Sequence, residues 1–259
     1  MIDWWQRRRR ARTLERRAIP EALWQLTLAR FAFLAARDAG DLAALRNMTT
    51  LFLADKEFTG AGGFTVTDEV AVAIAAQACL PALKLGLHWF DGFVGIVVHA
   101  DAVVARRETE GADGVVHAFD EELSGEAMSG GPVMLAWRDV DEAGESAAIG
   151  YNVVVHEFAH VIDMRAGVTA GAAEARPDSD RGRWLHALAE EYASFTARVD
   201  ADEETFLDPY GAEAIEEFFA VAAEALFVAP IELRAEQPRV HALLAEFFKL
   251  DPAAGRAPD

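Results

Sequence analysis

The chain contains a single cysteine, Cys79, and this scarcity excludes two kinds of architecture. One thiol cannot form an internal disulfide, so the fold must depend on a hydrophobic core rather than on cross-links. It also cannot build a zinc site from several thiolates, so a zinc site here has to use histidine and carboxylate ligands. The composition fits a reducing compartment, and the cytoplasm is the expected location.

Long hydrophobic runs are also missing. The longest, Val70–Leu83, has 14 residues and contains Gln77 and Pro81. A membrane-spanning helix needs about 20 apolar residues, so this run predicts a core helix, and no membrane span is expected. The N-terminus shows no apolar segment followed by a small-residue cleavage site, which argues against a secretory signal.

Positive charge is scarce outside the first 17 residues. The chain has 24 lysines and arginines against 43 acidic residues, a net charge of −19. Residues 1–17 hold seven arginines against Asp3 and Glu15, a local charge of +5 that leaves −24 for the rest. Because such a body repels a phosphate backbone, no direct nucleic-acid partner is expected. The basic arm, residues 1–19, is interpreted as solvated with its two tryptophans folded onto the body; the alternative is a binding role towards anionic lipid, RNA or the chain's own acidic surface.

With 259 residues and 52% apolar composition, the chain can bury the core of one large domain. Helical periodicity predicts helices over 21–38, 41–58, 146–163, 183–200, 213–228 and 231–249. Thr67 or Asp68 is expected to cap the core helix. The runs "DGFVGIVVHA", "GVVHAF" and "GPVMLAW" predict strands, with "ELSGEAMSGG" as polar loop. We therefore expect a mainly α, α+β protein with one domain over 20–250, comprising a helical hairpin and small sheet (20–145) and a helical part that binds metal (146–250), followed by a tail (251–259).

The segment "VVVHEFAHVID", residues 153–163, predicts the metal-binding helix. In a helix, His156 and His160 stand about 40° apart on one face, where both imidazoles can reach one zinc ion. Glu157 projects beyond His160, close enough to contact a water on the metal. The opposite face is apolar, as a buried helix requires: Val154, Val155, Phe158, Val161 and Ile162. This is the H-E-x-x-H pattern of zinc peptidases, and its amphipathic setting favours zinc over two ordinary histidines.

The third metal ligand is not fixed by spacing. The metzincin extension would need glycine and histidine where this chain has Asp163 and Ala166, so that class is excluded. A flexible loop offers Glu174, Asp178 and Asp180. A later helix, "EAIEEFFAVAAEALF", offers Glu213, Glu216, Glu217 and Glu224. These four fall within an arc of about 100°, which describes a solvated face equally well, so the choice stays open.

The third ligand is indicated by a resemblance to a known family. "HEFAHVID" followed by "DPYGAEAIEEFFAVAAE", together with "FLADKEFTGAGGFTVTDEVAVAIAAQACLPAL" and "ELSGEAMSGGPVMLAW", resembles the Mlc titration factor A family of bacterial zinc peptidases. It is more distantly similar to the catalytic domain of anthrax lethal factor. The similarity covers most of residues 20–250 and is weak at both ends. It implies a zincin-like core in which His156, His160 and Glu217 bind Zn²⁺, Glu157 is catalytic and Tyr210 lies beside the metal. For Glu224 it implies at most a supporting role.

The expected function is peptide hydrolysis by a zinc-activated water, with Glu157 as general base. Tyr210 and the metal would stabilise the oxyanion. The resemblance favours an aminopeptidase. The alternative is a regulatory protein with structural zinc, because the family is named for sequestering a transcription repressor. Asn152 and Asp163 are candidates to orient the imidazoles, or are ordinary helix-surface residues. Val133–Trp137 is interpreted as a core strand or, less favoured, as an edge strand that pairs with substrate.

Overall fold

The computed structural model describes residues 2–110, 116–128, 130–169 and 179–256, and for residues 2, 3, 6, 103–110 and 116–123 it describes the backbone alone. Helices form most of this part of the chain, around one small sheet. The predicted mainly α, α+β class is therefore confirmed. The helices position the candidate site, and the sheet covers one side of it.

The N-terminal half begins with helices. Their bounds are α1 Ile2–Arg16, α2 Glu21–Arg30, α3 Ala32–Ala35, α4 Ala39–Asp55 and α5 Asp68–Cys79. The helix predicted over 21–38 breaks at Phe31, whose backbone leaves the helical region (φ −116°, ψ 84°) while its side chain is fully buried. Thr67 caps α5 as expected, since its hydroxyl accepts from the Val70 N–H at 3.3 Å. Nine of the twelve residues of α5 are buried, which confirms the core helix.

The described strands form a four-stranded sheet and a separate two-stranded ribbon. The sheet order is β1 (Glu57–Gly60), β2 (Gly95–His99), β6 (Val133–Ala136) and β5 (Gly125–Ala127). The first three are parallel, and β5 runs antiparallel to β6. The ribbon pairs β3 (Val103–Glu110) with β4 (Val116–Leu123).

This strand order decides between two interpretations and corrects one expectation. β6 lies between β2 and β5, so Val133–Ala136 is an inner strand, as the favoured interpretation of Val133–Trp137 expected, and the edge-strand alternative is wrong; Trp137 begins the next helix. Among the described strands the edge beside β6 is β5, which lies inside the segment "ELSGEAMSGG" that was predicted to be loop. Gly125, Glu126 and Ala127 gave no strand signal because none of them is β-branched or aromatic.

The C-terminal half supplies the remaining helices. Their bounds are α6 Trp137–Ser146, α7 Val153–Ala166, α8 Asp180–Asp200, α9 Ile215–Val228, α10 Pro230–Glu236 and α11 Pro238–Phe248. The helix predicted over 146–163 begins later than expected, because Gly150 adopts a left-handed conformation (φ +82°) that ends the preceding turn. α6 was not predicted. The helix predicted over 231–249 is split at Gln237, where Pro238 disfavours helical backbone in the residue before it.

The apolar side of α7 is anchored by aromatic rings. Phe158 is fully buried and packs edge-on against Phe52, Phe90 and Phe93, with ring centroids 5.7, 5.1 and 5.8 Å away. Edge-to-face pairs at such distances each contribute about 0.5–1.5 kcal/mol beyond their buried area. α7 also packs against α5 and α9, so its rotation about its own axis is fixed and its polar face is held toward α9.

The basic arm folds as helix α1, which packs against α4. Trp4 and Trp5 are 53% and 63% exposed, so the expectation that they fold onto the body is wrong. Among the helices in the described ranges, none is both long enough and apolar enough to cross a membrane.

Candidate metal centre

The polar face of α7 is set by its first residues. Asn152 caps the helix, and its side-chain oxygen accepts from the Val155 N–H at 2.8 Å. His156 and His160 then project from the same side, one turn apart, with ring centroids separated by 4.7 Å. α9 lies alongside and brings Glu217, from its first turn, to the same place.

The three side chains converge on one point. His156 Nε2 lies 3.0 Å from His160 Nε2, and Glu217 Oε2 lies 3.2 Å and 3.3 Å from these two nitrogens. Four-coordinate zinc binds nitrogen and oxygen at about 2.0–2.2 Å, which places neighbouring ligand atoms about 3.3 Å apart around a tetrahedron. The observed triangle therefore has the size of one face of a zinc coordination shell. These three side chains are the group of potential metal ligands found among the described residues.

The electrostatics of the ion-free triangle follow from its mixed charge. Burial works to raise the pKa of Glu217, but hydrogen bonding and charge interactions with His156 and His160 outweigh it and lower this pKa to about 2. Burial similarly works to lower the pKa of His156, yet Glu224 and Glu217 raise it well above its usual 6.5. Glu217 is consequently ionised at neutral pH, as a carboxylate ligand must be.

A buried carboxylate supports His156 from behind. Glu224 is 2% exposed, and its Oε1 lies 2.7 Å from His156 Nδ1. Its Oε2 accepts from the backbone N–H of Asn152 at 2.5 Å. The Asn152 side chain in turn donates to Gln77 Oε1 on α5 at 2.7 Å. Because Glu224 occupies Nδ1, the free nitrogen of His156 that faces Glu217 is Nε2, and the ring is held in that orientation.

Glu157 lies beside the histidines under the edge strand. It is 5% exposed, and burial, opposed by the two histidines, raises its pKa to about 7. Gly125 of β5 lies directly over it: a β-carbon on Gly125 would be only 2.5 Å from Glu157 Oε1. Only glycine leaves room for the carboxylate at this point of the strand.

Tyr210 lies close to His156. It lies in a short 3₁₀ turn, Pro209–Ala212, where Asp208 accepts from its backbone N–H at 2.9 Å. Its ring centroid is 6.2 Å from that of His156, and the residue is 40% exposed. The phenol therefore lies beside one of the two imidazoles and is partly accessible to solvent.

Comparison with known proteins agrees with this arrangement. The family model described as "Glucose-regulated metallo-peptidase M90" matches residues 3–249. The chain belongs to the M90 metallopeptidase family. Within this similarity, an uncharacterized Synechocystis protein, slr2042, is 34% identical over 253 residues, covering 97% of this chain and 90% of that protein. Mlc titration factor A of Salmonella typhimurium is 30% identical over 217 residues (83% and 81%), and that of Klebsiella pneumoniae is 30% identical over 238 residues (91% and 89%).

An M90 metallopeptidase uses a metal ion, and the residues present fit one. The donors are two imidazoles and one carboxylate, a ligand set found in catalytic zinc sites that keep one position open. Their mutual distances match a single coordination shell, and the buried Glu224 fixes one ring. The resemblance stated from sequence to the titration factor A family is confirmed.

The structure brings together most of the side chains that sequence analysis singled out for this M90 site. His156, His160 and Glu217 form the triangle, and Glu157 and Tyr210 border it. Other carboxylates considered as ligands lie elsewhere: Asp180 pairs with Arg183, Glu213 and Glu216 stand outside the cluster, and Glu174 and Asp178 fall outside the described residues.

Asn152 and Asp163, the two candidates for orienting the imidazoles, have different roles in the structure. Asn152 acts on His156 through Glu224 rather than by direct contact. Asp163 accepts from the N–H and the hydroxyl of Thr169 at 2.8 and 2.6 Å, so it fixes the turn after α7 and not an imidazole. Gly125 was missed, since nothing in "SGEA" signals that the Glu157 carboxylate lies beneath it.

Proposed function

We propose that this M90 metallopeptidase is a cytoplasmic zinc aminopeptidase in which Glu157 is the general base. The observation that carries the proposal is the ligand triangle with a buried carboxylate directly beside it. Zinc, when bound, polarises the substrate carbonyl and lowers the pKa of a water to about 7. His156, His160 and Glu217 would hold the ion.

Glu157 handles the proton. A general base works best when its pKa lies near the operating pH, and burial raises that of Glu157 to about 7 in the ion-free site. Its carboxylate takes a proton as water attacks the peptide carbonyl and then delivers it to the departing amine. Gly125 leaves the space beneath β5 that this carboxylate occupies.

Tyr210 and Glu224 have different supporting roles. The Tyr210 hydroxyl, on a ring that lies beside His156, donates a hydrogen bond to the oxyanion that forms on the substrate. Glu224 touches no substrate and acts by orienting His156. A preorganised hydrogen-bond donor such as the Tyr210 hydroxyl typically contributes about 10²–10³-fold in rate.

The aminopeptidase specificity rests on the family resemblance. It requires an anionic group that pairs with the substrate's free α-amine, and acetylation of that amine would remove the pairing. Peptides with free and acetylated N-termini therefore separate exopeptidase from endopeptidase action.

The test is zinc-loaded hydrolysis of short amino-acid anilides and longer peptides by wild type and by Glu157→Gln. We expect the variant to bind one zinc per chain and to lose activity by at least ~10²-fold. Glu216→Gln, one residue before Glu217, is the matched control and should retain wild-type activity. Retained hydrolysis in Glu157→Gln would disprove the assigned role.

A second candidate is binding of a repressor protein. It is supported by the name of the Salmonella and Klebsiella relatives, Mlc titration factor A. Three, not four, potential ligands converge in the described part of the chain, which favours an open catalytic position over a closed structural site. Binding of a purified Mlc-type repressor by both wild type and Glu157→Gln, with no peptide cleaved by either, would favour this candidate.

A further inference from the structure

A cavity of about 200 Å³ opens beside α7, next to the end of β5. Its described lining is dominated by apolar side chains: Trp89, Phe93, Met128, Val133, Val161 and Met164. An apolar cavity of about 150 Å³ is large enough to hold benzene. This one therefore has room for the side chain of leucine, methionine or phenylalanine.

The cavity adjoins Glu157 along the helix. Glu157, Val161 and Met164 are spaced i, i+4 and i+7, so they lie on one stripe of α7. With a rise of 1.5 Å per residue, Val161 lies about 6 Å and Met164 about 10 Å beyond Glu157. The near wall of the cavity is thus one helical turn from the general base, within reach of a substrate residue bound there.

The edge strand β5, like α7, runs from Glu157 toward the cavity. Gly125 lies over Glu157, and Met128, just after the end of β5, lines the cavity. The outer side of an edge strand offers backbone N–H and C=O groups that can pair with an extended peptide. Antiparallel pairing is slightly more stable per residue. When a substrate peptide runs antiparallel to β5, its residues on the N-terminal side of the scissile bond lie toward Met128 and so over the cavity.

The mouth of the cavity has a chemistry suited to an apolar guest. Met128 and Met164 are 42% and 43% exposed, although large apolar side chains are usually buried. Methionine is flexible and polarisable, so it adapts to different apolar shapes. The charged residue in the described lining is Arg165, and its guanidinium lies 3.9 Å from Asp91, which partly balances its charge.

We propose that this cavity binds a bulky apolar side chain, such as leucine, methionine or phenylalanine, on the residue immediately N-terminal to the bond that is cut. The inference rests on the proposed peptidase function and specifies its substrate. For an aminopeptidase, the bound residue is the N-terminal residue of the peptide. Glu157 is positioned at one end of this subsite and Met164 at the other.

The experiment maps cleavage by zinc-loaded wild type in a mixture of peptides that differ only at this residue, with mass spectrometry of the products. Bonds that follow leucine, methionine or phenylalanine should be cut at least ~10-fold faster than bonds that follow glycine or aspartate. Met128→Glu and Met164→Glu, which change partly exposed side chains, should reduce this preference ~10-fold or more. Leu26→Glu, on α2 and 48% exposed, is the matched control and should leave it unchanged.

The outcomes separate the subsite from the activity. Cleavage without apolar preference, a preference for aspartate, or a preference that Met128→Glu and Met164→Glu leave intact would each overturn the subsite while the peptidase function stands. If wild type cuts no peptide, the peptidase proposal fails. In that case fluorescence polarisation of labelled leucine and aspartate peptides tests the cavity directly: tighter leucine binding that is lost in Met164→Glu supports it, and equal binding refutes it.

Discussion

Glu224→Gln tests whether the carboxylate behind His156 sets metal affinity. The change keeps the side-chain shape but replaces one acceptor oxygen by an NH₂ group. Glu224 now accepts from two donors, His156 Nδ1–H and the Asn152 N–H. The carbonyl oxygen of glutamine can accept from one of these donors. The other donor then faces the glutamine NH₂ group, which is itself a donor, in a buried position.

The magnitude follows from two independent estimates. Leaving a buried donor without its acceptor costs about 1–3 kcal/mol. Loss of a hydrogen-bond partner behind a metal-ligating histidine typically lowers metal affinity about 10–100-fold. At about 1.4 kcal/mol per tenfold, this range corresponds to about 1.4–2.8 kcal/mol, in agreement with the first estimate. We therefore expect Glu224→Gln to weaken zinc binding about 10–100-fold.

The assay is a competition titration of zinc against a chromogenic chelator at constant pH. Glu216→Gln, on the same helix and outside the ligand triangle, is the control and should bind zinc like wild type. Thermal melts of the zinc-free proteins show whether the variant still folds. A folded Glu224→Gln protein whose zinc affinity lies within about twofold of wild type would refute the reasoning, because both estimates above require a loss of at least about fivefold.

Three further changes test other parts of the site. Gly125→Ala places a methyl group against Glu157 and should lower hydrolysis ~10²-fold with zinc content unchanged, whereas Gly40→Ala, whose β-carbon would meet only the side chain of Asp38, should not. Asn152→Ala removes the cap of α7 and a buried amide, so urea unfolding of the zinc-free protein should show a loss of about 2–4 kcal/mol; no loss would contradict the capping role. Burial raises the pKa of Cys79, so this thiol should stay unreactive toward Ellman's reagent at pH 8 until the chain unfolds; fast labelling of folded protein would disagree.

Local patterns predicted the parts of the site that lie on single helices. The i, i+4 histidines and the apolar far side of α7 are properties of one helix, so periodicity alone placed them correctly. Glu217 could not be chosen in this way. Its selection among four carboxylates depends on how α9 packs against α7, a tertiary contact that spacing within α9 does not encode.

The edge strand was the largest omission. Gly125–Ala127 has no strand-forming residues, and it becomes a strand because β6 offers it a partner. The same applies to Gln77, which was noted as an interruption in an apolar run: it is fully buried because the Asn152 amide donates to it. These residues are recognisable in the sequence as polar or small, but the reason for their positions lies in a distant segment.

The relay from Gln77 through Asn152 and Glu224 to His156 crosses the boundary between residues 20–145 and 146–250. The His156 ring of the second segment thereby takes its orientation partly from a helix of the first. Neither segment expressed alone would inherit the full affinity of the intact chain. If the three side chains bind zinc as proposed, capture of the ion would report that both halves have docked, and the ion would favour the docked state by mass action.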